Sequence, residues 1–376
     1  MTLPEHPPTE LLDALRLSLI KGLGPVTQTA LLNRFGSAGE VLRAGREELL
    51  QTEHVGPKLA SAILEAKNST AAHEEWNECR KLGVDLIALS DPDYPLPLKD
   101  IPDPPQLLYV RGSLEPADRL SLGIVGSRRC TLYGRQQAER FARELSSAGI
   151  TIVSGLARGI DACAHRGVLQ QSSGRTLAVL GTGVSRIYPP EHAELAEQIV
   201  ARGALISETC LHQAPLPGLF PQRNRIISGL SQGILIVEAA RNSGALHTAR
   251  HALEQGREVF VVPGRLDSAA SEGCHDLIRD GATLIRHSDD ILDSLGPLAH
   301  PAKTATGETV LTPRELNLND REREVLNLIP TEQCTIDELL RSTDLENSRV
   351  LATLTVLEMK RLIRRLPGGF LIRDAR

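Results

Sequence analysis

The sequence has few of the features that several common protein classes require. Aromatic residues make up only 3% of its 376 residues, so any contact with nucleic acid is expected to depend on phosphates more than on base stacking. No apolar run reaches the roughly 18 residues needed to cross a bilayer. The first residues, MTLPEHPPTE, lack the basic and apolar regions of a signal peptide. These absences predict a cytoplasmic protein with no membrane partner.

The pattern of cysteines and the net charge bear on metal-binding, disulfide-bonded and nucleic-acid-binding proteins. The six cysteines are scattered and form no CxxC pair, so the sequence predicts neither a metal site nor a disulfide framework. The net charge of −5 argues weakly against nucleic acid, but binding depends on where basic groups cluster and not on their total.

Motifs for nucleotide cofactors are also missing. No strand-like run is followed by a complete GxGxxG, since GTGVSR lacks the third glycine, and there is no GxxxxGK[ST]. The glycines of such motifs allow the backbone to approach a pyrophosphate. The sequence therefore supports neither NAD nor ATP binding.

Residues 1–80 are predicted to form a small helical, SAM-like domain. Two segments inside it, LIKGLGPVTQTALLNRFG and TEHVGPKLASAILEA, resemble a pair of helix-hairpin-helix motifs. In that motif a tight glycine turn lets backbone N–H groups at a helix start meet a phosphate. The second copy has His54-Val55-Gly56 where the first has Gly22-Leu23-Gly24. A helical domain without DNA contact is the equally weighted alternative.

Residues 81–296 are predicted to form an extended Rossmann-like domain with a doubly wound parallel sheet. The segment 82–112 is proline-rich, which predicts an extended lead-in that packs along the domain. From residue 113 apolar runs alternate with helical segments, as in α/β folds. The predicted strands are LGIVG, TIVSG, TLAVLG, ALISE, GILIVEA, EVFVVPG and TLIR.

The remainder of the chain is predicted to be a linker, residues 297–320, and a winged helix, residues 321–376. Three helical stretches precede two short apolar strands joined by a Gly-Gly turn. The recognition helix is predicted over residues 347–363. Basic residues cluster at its end, which raises double-stranded DNA as a partner of this domain. They are equally typical of a solvated helix end, where positive charge is favourable. These residues are Lys360, Arg361, Arg364 and Arg365.

The main candidate site lies just after the predicted strands, where open α/β sheets bind ligands. Five of these loops combine glycine or small hydroxyl residues with arginine, as in Gly126-Ser127-Arg128-Arg129. Glycine allows close approach to an anion, and arginine offers a bidentate, permanently charged fork for phosphate. The predicted contacts to single-stranded DNA are Gly126, Ser127, Arg128, Arg129, Ser154, Gly155, Arg158, Gly183, Arg186, Arg223, Asn224, Arg225, Ser243 and Gly244.

Two of these arginines, Arg223 and Arg225, open a helix, where positive charge opposes the helix dipole. They are predicted to lie near bound phosphate or near an acid, Glu208 or Glu238, as ligands or as structural anchors.

Candidate catalytic groups are few. Asp161 and His165 lie four residues apart and share a helix face, but no nucleophile is placed beside them, so a structural role is favoured. His247 and His251 have the same spacing and lack a third metal ligand. The sequence therefore predicts no catalytic residue and no enzyme activity.

At these motifs the sequence resembles the DNA-processing protein A family, also called DprA or Smf. The matching segments, in order, are IVGSRRCTLYG, IVSGLARGIDACAH, LAVLGTGVSRIYPPE, LISE, FPQRNRIISGLS, ILIVEAARNSGALHTAR and REVFVVPGRLDS followed by EGCHDLIRDGA. The resemblance implies a homodimer that binds and protects incoming single-stranded DNA during natural transformation and helps to load the RecA recombinase. It implies no cofactor.

The resemblance also implies roles for individual residues. It assigns Arg128 as the main DNA-binding arginine, with Gly126 and Ser127 beside it. The segment EGCHDLIRDGATLI corresponds to the family's dimerising stretch, which assigns His275, Ile278 and Leu284 to the dimer interface.

The chain departs from the family pattern at two places. Pro190 stands where the family often has a basic lysine, and Arg186 is the candidate substitute. SGALHTA replaces SGSLITA, which leaves the role of His247 open.

A nucleotide hydrolase of the related Rossmann class is the competing hypothesis. Such enzymes carry a PGGxGT loop with a catalytic glutamate, whereas the comparable stretch here is Asn242-Ser243-Gly244-Ala245.

Overall fold

The computed structural model describes residues 7–296, 298, 302–303, 309–330, 333–343 and 345–373. The chain divides into two compact units, Met1–Leu284 and Ile285–Arg376. Each unit has its own core and is described separately. No helix in the described ranges has the length and apolar character that crossing a membrane requires.

Unit 1 begins with short helices that include the two predicted hairpin turns. Gly22 and His54 both have positive φ, 87° and 65°, so His54 adopts the conformation that glycine supplies in the first copy. Gly24 and Gly56 then precede helices that open with proline, a residue well suited to a first helical turn. The helices are α1 (Thr9–Ser18), α2 (Pro25–Phe35), α3 (Ala38–Arg43), α4 (Arg46–Leu50), α5 (Pro57–Ala66) and α6 (Ala71–Leu82).

Nine strands of the described chain form one sheet in unit 1, in the order β1-β2-β6-β5-β4-β3-β7-β8-β9. All pairings from β3 to β9 are parallel, which confirms the predicted doubly wound parallel sheet. The strands are β1 (Val84–Ala88), β2 (Leu107–Gly112), β3 (Ser121–Val125), β4 (Thr151–Ser154), β5 (Thr176–Val179), β6 (Gly203–Ser207), β7 (Gly233–Ile236), β8 (Glu258–Val261) and β9 (Thr283–Leu284).

The proline-rich segment contributes more than the predicted lead-in. Its two ends form β1 and β2, which pair antiparallel with each other, and β2 pairs antiparallel with β6 through Tyr109 and Ser207. The prolines lie between these strands, where a missing N–H removes no ladder hydrogen bond. The sequence-based prediction overlooked both strands because it judged the segment by its proline content.

Crossover helices cover both faces of the sheet and bury a core on each side. They are α8 (Leu132–Ser147), α9 (Ile160–Leu169), α10 (Ala193–Val200), α11 (Leu219–Leu230), α12 (Ala245–Glu254) and α13 (Glu272–Arg279). The short helix α7 (Leu96–Lys99) lies in the connection between the antiparallel strands β1 and β2. The N-terminal helices join one of these cores, since Leu15 and Trp76 lie in the same buried cluster as Tyr109 and Leu205.

The chain direction across the sheet reverses at β3. From β3 it moves through β4, β5 and β6 to one side, and β7 then pairs with β3 on the other side. Ligands of open α/β sheets bind outside the carboxyl ends of the strands near such a reversal. The loops after β3, β4, β5 and β7 are therefore the first place to look for a site.

Unit 2 contains the predicted winged helix. A three-stranded sheet in its described residues has the order β12-β14-β13, and Gly368 and Gly369 make the predicted turn with φ of 89° and 77°. The recognition helix ends at Met359, four residues earlier than predicted, and Arg361 then has a φ of 55° that a helix cannot accommodate. The elements are α14 (Ser288–Ser294), β10 (Ala302–Lys303), β11 (Thr309–Val310), α15 (Asp320–Leu328), β12 (Cys334–Thr335), α16 (Ile336–Arg341), α17 (Asn347–Met359), β13 (Ile363–Leu366) and β14 (Phe370–Arg373).

Candidate nucleic-acid interface

The loops after β3 and β4 are joined tightly by backbone contacts. The Ile160 N–H donates to the Ser127 carbonyl at 3.2 Å, and the Ser127 N–H donates to the Glu238 carbonyl at 2.7 Å. Gly159 has a φ of 77°, and a Cβ at that position would lie 2.2 Å from the Ser127 oxygen. Only glycine fits this close approach, so the two arginine-bearing loops are held at a fixed separation.

Arg223 lies beneath these loops and holds them from inside. Its side chain is buried, and its Nη1 donates to the Gly155 carbonyl at 2.8 Å and also to the Val179 carbonyl. The pKa of Arg223 is lowered to about 10, mainly by burial; the charge of Asp161 opposes this shift, and the charge of Arg128 adds to it. Arg223 thus ties the ends of β4 and β5 together and places a positive charge under the surface.

Asp161 and His165 make separate contacts and do not form an acid–histidine pair. The Asp161 carboxylate accepts from the backbone N–H groups of Gly155, at 3.2 Å, and Ala157, at 3.4 Å. Burial raises the pKa of Asp161, and Arg223 opposes this shift. The His165 Nδ1 lies 2.8 Å from the Thr176 hydroxyl, which itself donates to the Ile152 carbonyl. Both groups therefore support loops and strands, as their spacing favoured.

Arg225 is engaged by acids on neighbouring segments. Its Nε lies 2.7 Å from Asp103, and its Nη2 lies 2.6 Å from Glu208, one of the two acids predicted for this role. Since the arginine is only 3% exposed, we assign it to anchoring α11. Asn224 lies closer to the surface and donates to the Gly244 carbonyl at 3.4 Å.

An exposed arginine lies against an aromatic pair where the loops meet. The Arg128 guanidinium carbon is 5.4 Å from the centre of the Phe220 ring, and the rings of Phe220 and Tyr188 are 5.6 Å apart, tilted by 44°. Arg158, also exposed, pairs with Glu191 at 2.5 Å and lies beside Tyr188. We call Arg128, Arg158, Tyr188 and Phe220 the arginine–aromatic surface; they line one small hollow whose inner wall includes Arg223.

The two aromatic residues were missed as site residues in the sequence. The low aromatic content favours phosphate contacts, and Phe220 enters the prediction only as the first residue of the matching segment FPQRNRIISGLS. Position is the signal that could identify them: Tyr188 lies two residues after Arg186 in the loop after β5, and Phe220 lies three residues before Arg223 on α11.

The start of α8 is filled by a protein carboxylate. Glu238, buried after β7, accepts from the Thr131 N–H at 2.9 Å and from the Thr131 hydroxyl at 2.6 Å. In dinucleotide-binding folds the pyrophosphate occupies this helix start, next to the reversal of strand order. A pyrophosphate here would have to displace the Glu238 carboxylate.

The other predicted contacts fall into two groups. Ser154, Gly155 and Gly183 are buried: the Ser154 hydroxyl donates to the Ile124 carbonyl at 2.6 Å, and Gly183 packs against the Leu211 backbone. Six more of the predicted residues lie nearer to the surface, where a ligand could reach them. These are Gly126, Ser127, Arg129, Arg186, Ser243 and Gly244.

Farther along the edge, exposed arginines pair with local acids. Arg241, after β7, lies 2.9 Å from Asp276, and Arg265, after β8, lies 3.0 Å from Asp267. Among the described residues, the loops after β3 and β5 therefore keep exposed arginines without an acid partner, whereas Arg158, after β4, pairs with Glu191. On α12, His251 lies 3.4 Å from Glu254, and His247 is exposed.

The predicted dimer residues lie at the far edge of the sheet. Leu284 is 42% exposed on β9, the edge strand beside β8. Ile278, on α13, is partly buried against the core, and the His275 Nε2 lies 3.1 Å from the Gly264 carbonyl.

Comparisons with known proteins agree with this architecture. Residues 85–296 match the family described as DNA recombination-mediator protein A, and residues 310–369 match the DprA winged helix domain. The chain is 35% identical to Protein Smf of Synechocystis over 93% of its length and 96% of the relative. It is 41% identical to Protein Smf of Escherichia coli over 76% of each chain. The X-ray structure of DNA processing protein A from Streptococcus pneumoniae superposes with a TM-score of 0.66 at 30% identity, covering 77% of this chain and 99% of that one.

Proposed function

Because this chain belongs to the DNA recombination-mediator protein A family, we propose that it binds single-stranded DNA at the arginine–aromatic surface. The observation that carries the proposal is the cation–π contact of the exposed Arg128 guanidinium with Phe220, with Tyr188 alongside. Bases of a single strand expose their faces for stacking on aromatic rings and guanidinium planes, whereas duplex bases are already stacked on one another. The surface therefore suits single strands.

The charges of the surface support phosphate binding by a net acidic protein. Arg128 and Arg186 are exposed on the loops after β3 and β5, on either side of β4, and the buried charge of Arg223 adds to the local positive potential. Arg128 has the fork geometry that phosphate oxygens accept. A strand whose bases meet Phe220 can thus place its phosphates along the ends of β3, β4 and β5.

We propose that the protein acts by binding and not by catalysis. In the competing hydrolase hypothesis a glutamate in a loop of this fold attacks or activates a nucleotide. The carboxylate nearest the reversal of strand order, Glu238, is buried and bonded to Thr131. It therefore presents no exposed carboxylate to a substrate.

The family resemblance extends the proposal to biological role and assembly. We propose that a cytoplasmic homodimer protects incoming single-stranded DNA during natural transformation and helps to load RecA. The dimer contact is assigned to the β9–α13 edge, because an exposed edge strand with an apolar side chain such as Leu284 suits a self-complementary two-fold interface. His275 and Ile278 lie on the adjoining helix.

DNA binding is tested by fluorescence anisotropy with single- and double-stranded oligonucleotides of the same sequence. We expect tighter binding of the single strand, and Arg128→Ala should weaken it by about tenfold or more because a charge-assisted contact is lost. Arg265→Ala is the matched control, since Arg265 is also exposed at the carboxyl ends of the strands but pairs with Asp267. Equal losses in the two variants would overturn the assignment to this surface.

The dimer is tested by light scattering of Leu284→Arg, with Leu253→Arg on α12 as an exposed apolar control. We choose Leu284 because Ile278 also packs on the core, so its replacement would confuse folding with assembly. The Leu284 variant should be monomeric and the Leu253 variant dimeric. The monomer should bind short oligonucleotides normally and long ones less well, because two linked sites raise avidity only when one strand spans both.

A further inference from the structure

Two cysteines that are distant in the sequence lie side by side in unit 1. Cys130 comes just before α8, at the end of the loop that carries Arg128, and Cys163 lies near the start of α9. Both are free thiols, and the two side chains are within hydrogen-bond contact of each other. Thiols that point towards each other in this way can form a disulfide without a large movement of the backbone.

The segments that carry the two thiols are packed closely together. The Ile160 N–H donates to the Ser127 carbonyl at 3.2 Å, which joins the start of α9 to the loop before Cys130. Farther along, a Cβ at Gly167 would lie 2.5 Å from the Glu139 carbonyl oxygen, so α8 and α9 meet through their backbones. The contact between the thiols is therefore part of a well-packed region.

Cys130 has the surroundings of a reactive thiol. It is 9% exposed, and its neighbours in the chain are exposed on both sides. The hydrogen bond from Cys163 lowers the pKa of the Cys130 thiol, burial opposes that shift, and a hydrogen bond from Arg135 supports it. The charge of Glu238 acts in the opposite direction. The thiolate is the form of cysteine that reacts with oxidants, so Cys130 is the member of the pair that reacts first.

The surroundings of other cysteines favour the unreactive thiol. Burial raises the pKa of Cys79 and of Cys274 to about 12. Cys210 is more exposed than Cys130, yet burial raises the pKa of its thiol as well. Exposure alone would therefore select Cys210 for oxidation, whereas the contact between thiols selects Cys130. This difference makes the assignment testable.

We propose that Cys130 and Cys163 form a reversible modification site, at which a peroxide oxidises the two thiols to one intramolecular disulfide. The Cys130 thiolate attacks one oxygen of hydrogen peroxide, the O–O bond breaks, and hydroxide leaves, which gives a sulfenic acid. The Cys163 sulfur then attacks the Cys130 sulfur. The S–O bond breaks, and the hydroxyl leaves as water with the proton of the Cys163 thiol. The peroxide gains the two electrons that the thiols lose.

The disulfide would join the loop of Arg128 to α9 beside the arginine–aromatic surface. A small dithiol would reverse it by thiol–disulfide exchange. The chemistry of the pair requires no DNA, so its test does not depend on the proposed function.

The test is mass spectrometry of the full-length protein without reduction. The reduced protein is treated with an equimolar amount of hydrogen peroxide, and free thiols are then blocked with N-ethylmaleimide. Trypsin releases the two cysteines in the peptides CTLYGR and GIDACAHR. We expect these peptides to be linked, and the link to form about tenfold faster or more than Cys210 loses its thiol. A nonreducing gel should show the monomer, and dithiothreitol should restore both thiols.

Three variants assign the steps. In Cys163→Ser the second step is lost, so Cys130 should remain a sulfenic acid that dimedone traps. Cys130→Ser should leave Cys163 reduced, because the thiol that reacts first is gone. Cys210→Ser is the matched control and should form the link at the wild-type rate. Circular dichroism confirms that the variants are folded.

The measurement on the wild-type protein decides the proposal even if a variant folds poorly. The proposal is overturned if Cys210 is oxidised before the pair, if both thiols of the pair stay free under peroxide, or if Cys130 links to a second copy of the chain instead of to Cys163.

Discussion

Arg128 and Arg365 are both exposed arginines in folds that other proteins use to bind DNA, but their surroundings differ. Arg128 lies against Phe220 on a loop at the end of β3. Arg365 lies on β13 of the winged helix, 3.0 Å from Glu358 and within hydrogen-bond distance of Thr355. The Arg128 guanidinium can exchange water for a phosphate, whereas Arg365 would first have to break its ion pair with Glu358.

Other basic side chains of the winged helix also pair with protein carboxylates. Lys360, near the end of α17, lies 2.6 Å from Glu322, and Arg349 lies 3.3 Å from Glu346. The exposed side chains of α17 include Leu351 and Met359, the latter 80% exposed. DNA-reading helices present polar and basic side chains to base edges and phosphates. A winged-helix fold alone therefore does not predict DNA binding, because function depends on which side chains remain available.

The sharpest test of this comparison reverses charge in each unit. Arg128→Glu should reduce single-strand affinity by about a hundredfold, since a charge-assisted contact is replaced by repulsion. The double variant Arg361→Glu and Arg364→Glu in unit 2 should reduce it less than threefold. Anisotropy titrations at one moderate salt concentration measure both. A comparable loss in the double variant would show that the winged helix shares in binding.

A second prediction concerns the stability of unit 1 in mild acid. Burial lowers the pKa of His165 to about 3. Below about pH 6.5 the histidine therefore binds a proton in the unfolded chain but stays neutral in the folded protein. The contribution of neutral His165 to the free energy of unfolding is therefore complete above pH 6.5 and falls as the pH drops below that value. Between pH 7 and pH 5 the loss should be about 2 kcal/mol.

Hydrogen exchange in unit 1 measures this effect in wild type and in His165→Asn, which retains a donor for Thr176. The variant should lose less stability between pH 7 and pH 5 than the wild type. His247→Asn, at an exposed position on α12, is the control and should behave like wild type. Identical pH dependence in His165→Asn and wild type would contradict the role of the buried ring.

A third prediction separates stacking from charge within the arginine–aromatic surface. Phe220→Ala should lower single-strand affinity by about tenfold, because stacking of one base is worth about 1–3 kcal/mol. The salt dependence should change little, since no charge is removed. Phe220→Leu, which keeps apolar contact without a ring, should recover only part of the loss. Full recovery with leucine would argue for simple packing beneath Arg128.

The parallel sheet and the winged helix could be predicted from the sequence because both depend on strong local patterns. Apolar runs separated by helical segments predict β3 to β9, and the Gly-Gly turn predicts the hairpin of β13 and β14. Strands β1 and β2 could not be predicted in this way, because they lie at the two ends of a segment whose many prolines dominate its local signal. Proline removes the N–H that a strand ladder needs, so a proline-rich segment does not predict strands.

The loop pattern predicts a location for the candidate site but not its individual contacts. The loop pattern identifies where arginines gather, yet it cannot distinguish Arg128, on the surface, from Arg223, which binds carbonyls inside. It also cannot show that Arg265 forms an ion pair with Asp267, two residues along the chain. Whether an arginine is available depends on three-dimensional neighbours, which composition and spacing do not contain.

The smallest expected effect tests Arg186, the candidate substitute for the basic residue that Pro190 replaces. Arg186 is exposed on the loop after β5, and no acid forms an ion pair with it among the described side chains. Arg186→Ala should lower affinity by about threefold at moderate salt, since one peripheral phosphate contact is lost. The slope of log affinity against log salt should become shallower by about 0.7, the value for one phosphate contact on a single strand. Arg265→Ala again serves as control. An unchanged slope in Arg186→Ala would place the path of the strand away from β5 and restrict the site to the ends of β3 and β4.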